Sequence, residues 1–152
     1  PTKSVVQAAN EGAKFCAGQI IILASDDMFS PEMWDSRILH KFEMIEGPGL
    51  LQIDDQITTR KMTLPIMNRE AYAKLGYIYH PEYISMYADD DLRATALANG
   101  MYYNGTDIVF EHRHFSVGKS RYDKTYANEN SPKSFKRGQI LYYERAKLKF
   151  PI

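Results

Sequence analysis

The run Gln19-Ile20-Ile21-Ile22-Leu23-Ala24, followed at once by Ser25-Asp26-Asp27, constrains the fold of this chain more than any other stretch. Successive aliphatic side chains leave no polar face, the pattern of a strand covered by helices on both sides. Such strands belong to α/β folds with a mixed, mostly parallel sheet. Asp26 and Asp27 then stand at the strand's carboxyl end, where open α/β sheets place their ligands. The run is far too short to span a bilayer.

Local signals supply the flanking elements. Val5, Val6, Ala9, Ala13 and Cys16 recur at helical spacing, predicting a helix over residues 3–15 that Gly18 ends. Ser30-Pro31 reads as a helix start, and Trp34, Ile38 and Phe42 share one face of the helix that follows. Leu50 to Ile53 and Met62 to Met67 read as strands. Asn68 caps a helix that Gly76 closes. Asp89-Asp90-Asp91 opens a helix running to about Asn99 before Gly100, and Ile108 to Phe110 form a strand leading to His112 and His114. Asn104-Gly105-Thr106 reads as a turn. A final basic helix is expected within 131–149, from Pro132 to Leu148, and residues 1–152 are expected to form one domain.

The chain has 152 residues, with 19 basic and 19 acidic side chains. A net charge of zero argues against a dedicated nucleic-acid binder. The charge is unevenly spread, however. Residues 119–149 hold nine basic residues against three acids, a net of +6, so the preceding part carries −6. A basic tail on an acidic body suits an anionic ligand or a membrane surface; a solvated helix face carries the same charges. Cys16 is the only cysteine, so no intrachain disulfide can form, and a reducing, cytoplasmic setting is expected. No signal peptide is visible.

Three clusters carry chemistry: Asp26-Asp27, Asp89-Asp90-Asp91, and His112 with His114. Paired carboxylates repel unless a cation or hydrogen bonds offset the charge. Oxygen donors suit Mg²⁺ or Mn²⁺, which usually share their shell with substrate phosphates. Aspartates in a first helical turn are equally well explained by the helix dipole. His112 and His114 alternate, and so share a face if they lie on a strand.

The order of these clusters resembles that of the inverting glycosyltransferase family 2, of GT-A fold. Asn10-Glu11-Gly12, Ala17-Gly18-Gln19-Ile20-Ile21, Ser25-Asp26-Asp27 and Pro31 to Trp34-Asp35 look like the segment carrying that family's DxD motif. Tyr87-Ala88-Asp89-Asp90-Asp91-Leu92-Arg93, followed by Gly100, is similar to its acceptor-side acidic motif. The histidines lie where a metal-binding histidine is found. Two departures stand out: Ala24 occupies the first position of the usual Asp-x-Asp-Asp, and Ala88 that of the usual Glu-Asp. The resemblance also implies that the family's first strands, which hold much of the nucleotide base, would precede this chain, making it a partial domain.

The resemblance implies a hexosyltransferase-type enzyme acting on a nucleotide-sugar donor, most simply a UDP-sugar, and a carbohydrate or lipid-linked hydroxyl acceptor. It implies Asp89 as catalytic base, and Asp26, Asp27, His112 and His114 as candidate ligands of Mn²⁺ or Mg²⁺. Asn10, Ser25, Asp26, Lys119 and Arg121 are the implied donor contacts; Trp34, Tyr87 and Asp90 are the acceptor contacts. Trp34 at helical register with Ile38 is also what a core residue looks like. The basic final helix is a candidate for peripheral contact with an anionic membrane. Two other readings use the same residues: a metal-dependent phosphoesterase, and a non-catalytic binding module, which Ala24 and Ala88 favour.

Overall fold

The computed structural model describes residues 4–58, 60–122, 127 and 131–152. A four-stranded sheet is its centre, built from β1 (Ile20–Ile22), β3 (Leu50–Asp54), β4 (Ile66–Asn68) and β5 (Tyr102–Val109) in the order β1-β4-β3-β5. β4 pairs antiparallel with both β1 and β3, while β3 and β5 pair parallel. The fold is therefore α/β with a mixed sheet. Expectation and structure part at "mostly parallel". β1, β3 and β5 do run in one direction, but β4 separates β1 from β3, leaving one parallel ladder.

Neighbouring residues on each strand enter opposite clusters, as the pleat requires. Ile21, Leu50 and Met67 join Val6 and Ala9 of α1 (Val5–Ala13), Ala71 of α3 (Arg69–Leu75) and Leu92 of α4 (Ala88–Ala98) on one face. Leu51, Ile53 and Ile66 join Ile38, Trp34 and Phe42 of α2 (Trp34–Glu43) on the other. The strand buried on both sides is thus β3, whose residues 50–53 are all buried. β1, expected to be that strand, lies at the sheet edge and buries only Ile21 fully. An apolar run signals burial, but not whether a second neighbour flanks the strand.

Several boundaries move for local reasons. α1 stops at Ala13, well before Gly18, and Cys16 is exposed. Ser30-Pro31 does not cap α2, which starts after Met33 in a left-handed conformation with no side-chain cap. β4 begins only after Pro65, which has no N–H to donate; its carbonyl accepts from Leu23 instead, at 3.0 Å. Asn104-Gly105-Thr106 is no turn but a bulge within β5, where pairing jumps from Gln52↔Asn104 to Asp54↔Val109. Asn68 and Gly76 bound α3 as expected, Asn68 accepting from the Ala71 N–H at 2.9 Å.

A second, two-stranded sheet pairs β2 (Met28–Phe29) with β6 (Glu111–His112) in antiparallel register. The last helix is α5 (Pro132–Lys147), with Ser131 as cap and proline in the first turn. Gly138 seats α5 on the segment before α4, because a Cβ there would lie 2.1 Å from the Met86 carbonyl oxygen. Gly138→Ala is expected to destabilise the protein by about 1–3 kcal/mol, overpacking outweighing alanine's helix propensity of roughly 1 kcal/mol. Urea unfolding checks this. An alanine variant as stable as wild type would mean that α5 shifts freely on its seat.

Candidate functional site

A cleft of about 1040 Å³ lies beyond the carboxyl ends of β1, β3 and β5. β1 delivers Ser25, Asp26 and Asp27 to it; β3 delivers Asp55; β5 leads into His112 and His114; and the first turn of α4 presents Asp89. The β2–β6 pairing sets Met28 opposite His112 and so fixes Asp27 beside that histidine.

His112 is held between two carboxylates. Its Nε2 lies 3.2 Å from Asp27 Oδ2 and its Nδ1 3.4 Å from Asp55 Oδ2. Asp55 is almost wholly buried. Its Oδ1 accepts the N–H groups of Ile57 and Thr58 at 2.9 and 2.7 Å, and its Oδ2 accepts the Thr63 hydroxyl at 2.8 Å. Burial alone would push the Asp55 carboxyl up, but the His112 contact and these donors bring it down to about 2. Burial opposes charge on the His112 ring; the two carboxylates outweigh it and raise its pKa. Asp27 also receives the Ser25 hydroxyl. The His114 ring is tilted by 57° to that of His112, with centroids 5.1 Å apart, and burial, then the neighbouring ring, lowers its pKa. Its Nδ1 caps the short turn Phe115–Val117.

The pair Asp55–His112 makes stability depend on pH in two directions. Asp55, held low, contributes fully above about pH 4, and that contribution is lost as pH falls towards about 2. His112, held high, contributes fully below about pH 6.5, and its share is lost as pH rises through its raised value. The pair therefore stabilises most between about pH 4 and 6.5. His112→Gln is expected to cost about 1.5–3 kcal/mol in that window and to flatten the profile on both sides. Urea unfolding across this range checks it; an unaltered profile would assign the pH dependence to other groups.

Asp89 stands across the cleft. Lys61 Nζ lies 3.7 Å from its Oδ2 and 3.3 Å from Asp90 Oδ2. Burial pushes the Asp89 carboxyl up, Lys61 opposes, Asp90 adds to the rise, and the result is about 6. Burial disfavours the Lys61 ammonium, but Asp89 and Asp90 outweigh it and raise its pKa.

The cleft thus gathers Ser25, Asp26, Asp27, Asp89, His112, His114 and Arg121 from four separate stretches of sequence. Other candidates lie elsewhere. Trp34 packs edge-on against Phe110, with ring centroids 6.0 Å apart, in the second cluster. Asn10 uses its amide on the backbone of Ile78 and Tyr79. Lys119 pairs with Glu111 at 3.0 Å. Tyr87 precedes α4 in a left-handed conformation, without a side-chain cap, and packs its ring against Phe135 and Tyr142 of α5. Asp90 serves Lys61. The cleft also holds Asp55, Lys61 and Thr63, which sequence reasoning passed over. A signal for Asp55 was present: Asp54-Asp55 follow the largely apolar strand Leu50 to Ile53 much as Asp26-Asp27 follow Ile20 to Ala24 after Ser25.

Comparison with protein-family models, with curated proteins and with solved structures finds no match. The cleft therefore has to be read from its own chemistry. Among the described residues no group of three or more His, Cys, Asp and Glu side chains forms a ready metal centre. Asp27 and His112 nevertheless bring an oxygen and a ring nitrogen together, and a cation that displaced the Nε2 proton would find both as donors, while Asp55 holds the far side of the ring. That is how a metal-ligating histidine is usually supported. Two protein donors suit an ion that takes its remaining ligands from water and phosphate.

Proposed function

We propose that this chain is a metal-dependent glycosyltransferase of GT-A type, moving a sugar from a nucleotide-sugar donor, a UDP-sugar in the simplest case, to a hydroxyl acceptor with inversion. The observation that carries this reading is the placement of the Asp27–His112 pair and Asp89 in one cleft at the ends of β1, β3 and α4's first turn. Asp27 and His112 would hold Mn²⁺ or Mg²⁺, with Asp26 and His114 nearby. When bound, the ion supplies Lewis-acid neutralisation of the departing diphosphate.

The chain's own groups do the rest. Arg121, Ser116 and Ser120 line the same cleft and can donate to phosphate oxygens. Asp89 takes the acceptor's hydroxyl proton as that oxygen bonds to the anomeric carbon and the carbon–diphosphate bond breaks. The acceptor is a carbohydrate or lipid-linked alcohol. Of the acceptor candidates, Trp34 packs in the second cluster and Tyr87 packs its ring on α5, so this reading does not rest on either. Ala88, where the related motif has glutamate, is buried in the first cluster and carries no acid, which leaves Asp89 as the proton acceptor at this position. Ala24 and Ala88, standing where the related motifs have acids, also favour a second reading, a binding module that keeps the cleft without the reaction.

Calorimetric titration with UDP, GDP, dTDP and inorganic diphosphate, with and without manganese, tests the donor site. Manganese-dependent binding of UDP and diphosphate, lost in Asp27→Ala, is expected. Binding indifferent to manganese and to Asp27, or no binding of even diphosphate, would overturn the reading. Inorganic diphosphate is included because it reports on the ion and phosphate site without needing a base pocket.

A further inference from the structure

We propose that the outward face of α5 is a docking surface for an anionic lipid bilayer. Among the described residues no helix is long and apolar enough to cross a membrane. α5 divides cleanly. Its inner side sets Gly138 on Met86, Leu141 on the first cluster, and Arg145 on Asp91. At 3.6 residues per turn, Lys133, Lys136, Arg137, Ile140, Tyr143 and Lys147 fall within an arc of about 120° on the opposite side. All six are exposed, Ile140 by 50% and Tyr143 by 58%.

This face puts an aliphatic and an amphipathic aromatic side chain between four cations, with Glu144 its one acid. Tyrosine and long basic side chains are suited to the headgroup region, where an apolar body can sink while the polar tip stays wet. Charge complementarity selects an anionic surface and also an orientation. The part of the chain before Lys119 carries −6 and is repelled by the same lipids, so the basic helix is the side presented. Leu141, which blurs the apolar pattern in the sequence, turns inward and leaves the outer face to Ile140 and Tyr143. This inference stands independently of the transfer reaction.

The test is co-sedimentation of the full chain with phosphatidylcholine vesicles, with and without about one-third phosphatidylserine. Binding is expected only to the anionic vesicles and is expected to weaken steeply with salt. Lys136→Glu with Lys147→Glu should weaken it at least tenfold. Ile140→Ser with Tyr143→Ser should weaken it severalfold without changing the salt dependence. All four positions are exposed, and circular dichroism verifies that the variants fold. Failure to sediment with anionic vesicles overturns the proposal, as does equal binding by the charge-reversed variant. It is also overturned if the face instead mediates a concentration-dependent dimer abolished by Ile140→Ser, or if duplex RNA binds this face while anionic vesicles do not.

Discussion

Asp89→Asn is expected to lower the rate of sugar transfer by about 10²–10⁴-fold while leaving nucleotide binding unchanged. The amide keeps the shape of the carboxylate and can still accept a hydrogen bond, but it cannot take a proton. Asp89 contacts Lys61 rather than the Asp27–His112 pair, so the ion and donor site is left intact. The fold should not suffer either. A carboxyl held at about 6 favours the folded state only while protonated; its ionisation between about pH 4 and 6 costs stability that the amide avoids. Loss of transfer with normal binding and unimpaired stability therefore identifies a base. Transfer within a few-fold of wild type would remove Asp89 from that role.

The pH profile gives the same carboxylate a second signature. Transfer should rise as pH passes through about 6, where Asp89 gives up its proton. Lys61 favours the ionised form, so Lys61→Met should move this acid limb to higher pH with little change in the plateau. A merely structural lysine would lower the plateau and leave the limb in place.

What was legible in the sequence depended on how local the cause is. The Asn68 cap with its Gly76 stop, the Ser131-Pro132 start of α5 and the shared face of Trp34, Ile38 and Phe42 each arise within a few residues. The alternation that puts Ile21 and Ile20 in different clusters is equally local. Sheet order is not. Nothing in Ile20 to Ala24 says that β4 will be its one partner, or that β3 will hold the centre. The two-residue strands β2 and β6 are too short to register as periodic, yet they bring Asp27 to His112 across 85 positions. Asn10 shows the converse. Its position in a motif suggested a ligand contact, whereas its amide closes backbone groups of a loop 69 residues away.

Arg145→Met is expected to destabilise the protein by about 3–5 kcal/mol, the usual consequence of stranding one member of a buried ion pair. Arg145 Nε donates to Asp91 Oδ2 at 2.7 Å, and its Nη2 reaches the Thr95 hydroxyl and the Pro151 carbonyl. Asp91 also receives the hydroxyls of Tyr83 and Thr95, at 3.1 and 3.2 Å. Both charged side chains are buried, so methionine would leave a carboxylate with two neutral donors and no cation. Against a total stability of about 5–15 kcal/mol this is a large share, and thermal unfolding should fall by on the order of 10 °C.

The three consecutive aspartates explain why this pair was not visible beforehand. Successive residues on a helix point about 100° apart, so neighbours in sequence enter different surroundings. Asp89 reaches the cleft, Asp90 meets Lys61, and Asp91 turns inward to α5. Adding Asp91→Asn to Arg145→Met should recover part of the loss, since no uncompensated charge then remains buried. Urea unfolding of the two single variants and the double variant measures the coupling. If the double variant is as unstable as the sum of the singles, the pair does not act as a unit. α5 would then be held on α4 by the Gly138 seat and the tyrosine packing around it.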